Sequence, residues 1–152
     1  AGIRSTFARL VEKGRMKAAA AAEAGERLTV ADATAQLAGA ALVVEAVVER
    51  LDVKQKLFSE LEGIVADDCI LATNTSSISI TAIGAALRRP QRLLGMHFFN
   101  PAPLMALVEV VSGLATDAAV AQTVHDTALA WGKSPVHTRS TPGFIVNRCA
   151  RP

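Results

Sequence analysis

Two side chains have the types and placing of a base and the group that orients it. His97 ends an apolar run, Leu93-Leu94-Gly95-Met96, and is followed by Phe98-Phe99-Asn100-Pro101-Ala102-Pro103. The two prolines forbid a continuing helix. A β-branched run then carries one carboxylate at its centre: Leu107-Val108-Glu109-Val110-Val111. The pattern predicts a buried strand ending at His97, a rigid turn, and a second strand holding Glu109 beside it. An ionised carboxylate is rarely left alone in a buried strand, and the imidazole is the obvious partner. Such a pair moves protons near neutral pH, with the imidazole as base and the carboxylate setting its tautomer.

The elements that must position this pair follow from the periodicity. Ile3, Phe7, Leu10 and Val11 share one helical face up to Gly14, and residues 17–26 are strong helix formers. Leu28-Thr29-Val30 reads as a short strand, and residues 42–48 read as a clearer one, apolar enough to be central and parallel. A helix with Val53, Leu57, Leu61 and Ile64 on its inner side leads to a strand at residues 70–73. Residues 80–87 are helical and stop before Pro90. After the His97 and Glu109 strands, Thr116 is placed to cap a helix that ends at Trp131-Gly132. Residues 134–138 form a last strand, and Thr141-Pro142-Gly143 opens a further element. Strands alternating with helices predict an α/β fold with a mostly parallel sheet, without internal repeat or linker.

Ligands of such sheets bind at the carboxyl ends of the strands. Polar residues gather at those ends: Glu49 after the first clear strand, Asn74-Thr75-Ser76-Ser77 after the second, His97 and Asn100 after the third. Bulk properties exclude other classes. The 152 residues are 51% hydrophobic and 20% charged with a net charge of +2, so neither disorder nor nucleic-acid binding is supported. Aromatic residues, at 4%, offer few stacking platforms. Glu45 and Glu49 interrupt the best candidate for a membrane span, and no signal peptide opens the chain. Cys69 and Cys149 have no metal-type spacing and are expected to be buried reduced thiols of a cytoplasmic protein.

Four motifs carry a family resemblance in order and spacing. They are Thr73-Asn74-Thr75-Ser76-Ser77, Gly95-Met96-His97-Phe98-Phe99-Asn100-Pro101, Leu107-Val108-Glu109-Val110, and Thr141-Pro142-Gly143-Phe144-Ile145-Val146-Asn147-Arg148. With Glu45-Ala46-Val47-Val48-Glu49 and Glu12-Lys13-Gly14-Arg15, the chain resembles the L-3-hydroxyacyl-CoA dehydrogenases over essentially its whole length. The wording of Ser77-Ile78-Ser79-Ile80-Thr81 and residues 111–116 is closest to the phenylacetate-catabolic branch, which acts on 3-hydroxyadipyl-CoA.

The resemblance implies a Rossmann-like domain that transfers hydride between an L-3-hydroxyacyl-CoA and NAD in fatty-acid or phenylacetate catabolism. It makes His97 the base at the 3-hydroxyl, Glu109 its orienting partner and Ser76 a hydrogen-bond donor to substrate. Asn147 would bind the acyl group and Arg15 the coenzyme A portion. Glu49, Lys54, Asn74 and Asn100 fall at cofactor-binding positions, no metal is involved, and the parent enzyme is a homodimer.

Plainer roles stand beside these. Thr75 and Ser77 can shape their loop through backbone bonds, Lys54 can be a solvated charge, and Asn100 a turn residue. His125 and His137 fit no motif and are expected to be structural or exposed.

The family's opening strand, glycine-rich phosphate loop and ribose-binding acid find no match here, and Ala106 stands where a lysine is usual. The expectation is therefore a partial NAD-binding domain over residues 1–152, lacking the first βαβ portion and a C-terminal helical domain. Two function classes stay open, the dehydrogenase and a non-catalytic fragment or interaction module that retains part of the fold. A hydroxyacid dehydrogenase with a catalytic lysine is disfavoured, because His97-Phe98-Phe99-Asn100 occupies the lysine's place.

Overall fold

The computed structural model describes residues 2–150. They divide into two compact units, the first reaching Ala33 and the second starting at Thr34. The first unit is a helical pair, α1 (Gly2–Glu12) and α2 (Ala18–Glu26). The Arg4 guanidinium reaches the carbonyl of Gly25, and Gly14 turns the chain with φ +64°. Residues 28–30 are not a strand. Their apolar, β-branched character has no sheet neighbour within this unit, and a strand has no stability without a paired edge.

The second unit is a five-stranded sheet in sequence order: β1 (Leu42–Glu45), β2 (Ile70–Thr73), β3 (Leu93–Phe98), β4 (Leu107–Ser112) and β5 (Ser134–Arg139). All neighbours are parallel except β3 and β4, which are antiparallel. The helices are α3 (Leu51–Glu62), α4 (Ile80–Gly84), α5 (Ala118–Ala130) and α6 (Val146–Ala150). The fold is thus α/β and mostly parallel, as expected.

Alternation along β3 and β4 sorts the core into two layers. Leu94, Met96, Val108 and Val110 pack under α5 with Val124 and Ala128. Leu93 and Val111 face the other way, with Leu71, Ile80, Ile83 and Phe58. Gly95 lies on this second face, where a Cβ would come within 2.9 Å of Ile80 and Val111. Only glycine lets α4 approach β3 this closely.

Three expectations need correction. The strand at residues 42–48 closes at Glu45, and among the described residues β1 pairs only with β2. It is an edge strand of this sheet, and its apolar run continues as the exposed Val47 and Val48. The cap of α5 is Asp117, whose carboxylate accepts the Ala119 N–H. Thr116 instead ties the preceding turn to β3, donating to the Leu93 carbonyl and accepting the Gly113 N–H. Cys69 is buried, and burial pushes its thiol pKa up, but Cys149 is exposed on α6.

Candidate active site

His97 and Glu109 are direct cross-strand partners in the β3–β4 register. Opposed Cβ atoms in such a pair lie about 5 Å apart, so one imidazole spans the gap to a carboxylate. The His97 Nδ1 stands 2.7 Å from Glu109 Oε2, with the ring nearly buried and the carboxylate fully so. The other oxygen, Oε1, accepts the backbone N–H groups of Ile145 at 2.8 Å and Val146 at 3.0 Å. Three donors therefore hold one buried carboxylate, which is how a buried charge becomes tolerable.

Where Glu109 is the acceptor, Nδ1 carries the proton and Nε2 is the nitrogen left for another partner. Among the described residues Nε2 has no hydrogen-bond partner. The Phe99 ring stands 4.5 Å from the imidazole and the Phe144 ring 5.7 Å away, edge on. These rings restrict the histidine's rotation.

The turn at Thr141-Pro142-Gly143-Phe144 delivers the two amides. Gly143 has φ +74°, and Phe144, with a side chain, is held at φ +48°. A left-handed non-glycine residue costs about 1–3 kcal/mol and marks a turn fixed by its surroundings. Here the buried Phe144 ring and the bonds to Glu109 fix it. Asn147 follows one residue later, and its Nδ2 donates to the Ser76 carbonyl at 3.1 Å. Residues 145–147 thus touch Glu109 and the Ser76 loop together.

The loop after β2 is organised by side chains. Asn74 Oδ1 accepts the Phe98 N–H at 2.8 Å, joining the ends of β2 and β3. Thr75 Oγ1 accepts the N–H groups of Ser77 and Ile78, which is the loop-shaping role open to it in the sequence. Ser76 is exposed, and its hydroxyl makes no hydrogen bond among the described residues. Asn100 is exposed beyond the end of β3 before a cis peptide bond to Pro101, and no hydrogen bond ties its side chain to the other groups.

Glu49 binds this loop too. Its Oε1 accepts from the Thr75 hydroxyl, the Ser76 N–H at 3.1 Å and the Ser77 hydroxyl at 3.2 Å. Burial acts to raise its pKa, but the Thr75 and Ser76 bonds and the Lys54 charge outweigh it and hold the carboxyl below its usual value. Lys54 is 1% exposed, far from the solvated charge that its helix position allows. Its ammonium lies 2.7 Å from Glu45 and 3.3 Å from Glu49.

Sequence reasoning passed over Glu45 as a site residue. A carboxylate inside Leu-Val-Val-Glu-Ala-Val-Val is the same signal that marked Glu109, and a lysine one helical turn into the next helix was its available partner. The amides of Ile145 and Val146 left no side-chain signal. Arg15 belongs to the first unit, where its N–H donates to the Leu10 carbonyl. His125 and His137 stack on each other at 4.6 Å. Among the described residues no group of histidine, cysteine or carboxylate side chains could hold a metal.

A mostly parallel α/β sheet carries a buried histidine–carboxylate pair near its strand ends. The chain belongs to the 3-hydroxyacyl-CoA dehydrogenase family: the profile described as "3-hydroxyacyl-CoA dehydrogenase, NAD binding domain" matches residues 1–141. It is 50% identical over 151 residues to the 3-hydroxyadipyl-CoA dehydrogenase of Escherichia coli K12, covering 99% of this chain and 32% of that protein. It is 41% identical to a 3-hydroxybutyryl-CoA dehydrogenase of Clostridioides difficile, covering 95% of this chain and 51% of that one. The crystal structure of a 3-hydroxybutyryl-CoA dehydrogenase from Escherichia coli K12 superposes with a TM-score of 0.97 at 50% identity, over 99% of this chain and 32% of that one. The chain thus spans between a third and a half of the length of these relatives.

Proposed function

We propose that this chain is the catalytic part of the cofactor domain of an NAD-dependent L-3-hydroxyacyl-CoA dehydrogenase. The observation that carries the reading is the His97–Glu109 pair, with its bond at Nδ1 and Nε2 free. Bound NAD supplies the hydride acceptor. The residues at the strand ends fit its nicotinamide half, because Asn74, Ser76 and Asn100 offer hydrogen-bonding groups that are partly or fully exposed.

An alcohol cannot lose hydride from its carbon and keep its hydroxyl proton, so a base must take that proton as the carbonyl forms. His97 Nε2 takes it, and Glu109 stabilises the imidazolium that results. In the reverse direction the same nitrogen returns the proton. Ser76 donates to the substrate 3-oxygen, and Asn147, beside it, binds the acyl carbonyl. Glu49 with Lys54, Asn74 and Asn100 line the cofactor side. Arg15 is assigned to the coenzyme A portion on the motif Lys13-Gly14-Arg15-Met16.

Three further inferences concern the parent protein. The relation to 3-hydroxyadipyl-CoA dehydrogenase supports a dicarboxylyl substrate of phenylacetate catabolism, and the relation to 3-hydroxybutyryl-CoA dehydrogenase supports the general 3-hydroxyacyl-CoA reaction of fatty-acid catabolism. Unpaired Cys69 and Cys149 support a reducing, cytoplasmic setting. No helix among the described residues is long and apolar enough to cross a membrane. A homodimer is proposed for the full-length parent on the family resemblance.

The test replaces the matching part of the Escherichia coli 3-hydroxyadipyl-CoA dehydrogenase with this chain. The chimaera is expected to reduce NAD with L-3-hydroxyacyl-CoA substrates. A folded chimaera that binds NADH but turns over no 3-hydroxyacyl-CoA would contradict the proposal.

A further inference from the structure

Three charged side chains connect the edge strand to Ser76. Glu45, at the end of β1, is buried and uses both oxygens. Oε1 accepts the Lys54 ammonium at 2.7 Å and the Val47 N–H at 2.6 Å, and Oε2 accepts the Thr73 hydroxyl at 2.7 Å. Lys54 then reaches a second carboxylate, Glu49 Oε2, at 3.3 Å. Glu49 spends its remaining oxygen on the Thr75, Ser76 and Ser77 donors.

One carboxylate already neutralises Lys54. A second, partly exposed one adds little to the stability of a buried ammonium that has its counter-ion. What Glu49 adds is a fixed acceptor under the Ser76 amide. The carbonyl of Ser76 is held from the other side by Asn147 Nδ2 at 3.1 Å. The residue is therefore clamped at its N–H and its C=O, while its hydroxyl has no hydrogen-bond partner among the described residues. This is the arrangement that a side chain needs when its donor must meet a ligand at a fixed point.

We propose that Glu45, Lys54 and Glu49 act as positioning residues for Ser76, with Glu45 fixing the lysine, the lysine fixing Glu49, and the ionised Glu49 fixing the Ser76 backbone. The role in catalysis rests on the dehydrogenase reading above. The test does not, because it needs neither substrate nor cofactor. The carboxyl of Glu49 is held below its usual pKa by its loop bonds and the Lys54 charge, against the effect of burial, so its titration reports on the whole series. Lys54 and Glu45 are the other ionisable groups in this series.

Amide spectra of the 15N-labelled chain, recorded through the carboxylate range, follow that titration at Ser76 and Ser77. The expected midpoint lies below the ordinary glutamate value. In Glu49→Gln the titration at Ser76 disappears, and its amide exchanges with solvent about tenfold faster, as replacing a charged acceptor by a neutral one implies. Removing Glu45 alone would leave an underpaired buried ammonium and could unfold the chain. The double variant Lys54→Met/Glu45→Gln removes the pair together and avoids this. In it the midpoint at Ser76 rises towards the ordinary value, while the amides of residues 107–112 keep their shifts. A Ser76 amide that titrates and exchanges in Glu49→Gln as in the wild type would overturn the proposal. So would a midpoint that stays put in the folded double variant.

Discussion

At the scale of single residues, the site depends on how Glu109 is satisfied. Its two oxygens serve one ring and two backbone amides. Glu109→Gln keeps the shape but puts an amide NH2 against one of these donors. The ring must then give up its Nδ1–H to accept from that NH2, or a buried donor is left unmatched, at about 1–3 kcal/mol. Thermal unfolding should show the loss, and nitrogen-15 spectra of the ring should show His97 losing its fixed Nδ1–H tautomer. An unchanged tautomer in the variant would mean that Glu109 does not orient the imidazole. Gly143→Ala has a separate cause. It puts a side chain at φ +74° and a Cβ 3.0 Å from the Arg148 nitrogen, in a turn that leaves little room for adjustment. A loss of about 1–3 kcal/mol is expected, readable as a lower urea midpoint. Stability equal to the wild type would show that the turn relaxes freely.

At the scale of elements, what was legible in the sequence was whatever a period of two or 3.6 writes into side chains. β2 matches its expected span, and β3 and β4 hold His97 and Glu109 as opposed partners on one face. The reading stopped where a partner outside the window decides. Residues 28–30 have strand-forming side chains but no edge to pair with in their unit, and Val47 and Val48 continue an apolar run after the last β1–β2 pair. The α5 cap moved by one residue because Thr116 is engaged with the Leu93 carbonyl, leaving Asp117 to accept the helix amide. Lys54 kept a solvated-charge reading beside its cofactor-binding one, because helical position alone does not show two carboxylates waiting at a strand end.

Glu62, at the end of α3, shows the same dependence on distant partners. Its oxygens accept the Arg88 and Arg89 N–H groups, each at 2.9 Å, and close the turn after α4. Burial alone would raise its pKa, but these amides and the Arg88 charge hold it below the usual glutamate value. The folded pKa lies below the unfolded one, so the stabilisation is complete above the unfolded value and is lost as pH falls through the folded one. Glu62→Gln should be less stable than the wild type by about 1–3 kcal/mol at neutral pH. The gap should narrow as acid protonates the wild-type carboxyl. A gap that does not change with pH would contradict the assignment.

At the scale of the whole molecule, the sheet carries the buried His97–Glu109 pair and a serine loop held at both sides of Ser76. Among the described residues, however, no glycine-rich turn leads from a strand into a helix to receive a pyrophosphate. The 152-residue chain by itself is therefore expected to bind NADH weakly or not at all in a calorimetric titration. Micromolar binding would show that the strand-end residues hold the cofactor without that turn. The central claim is that His97 is the base of the hydride transfer, and the most direct test is His97→Gln in the chimaera with the Escherichia coli relative. Turnover of the 3-hydroxyacyl-CoA substrate should fall by about 10²–10⁴-fold while the dissociation constant for NADH stays within a small factor of its value in the unsubstituted chimaera. Near-normal turnover by a variant that binds NADH normally would remove His97 from the reaction and contradict the account.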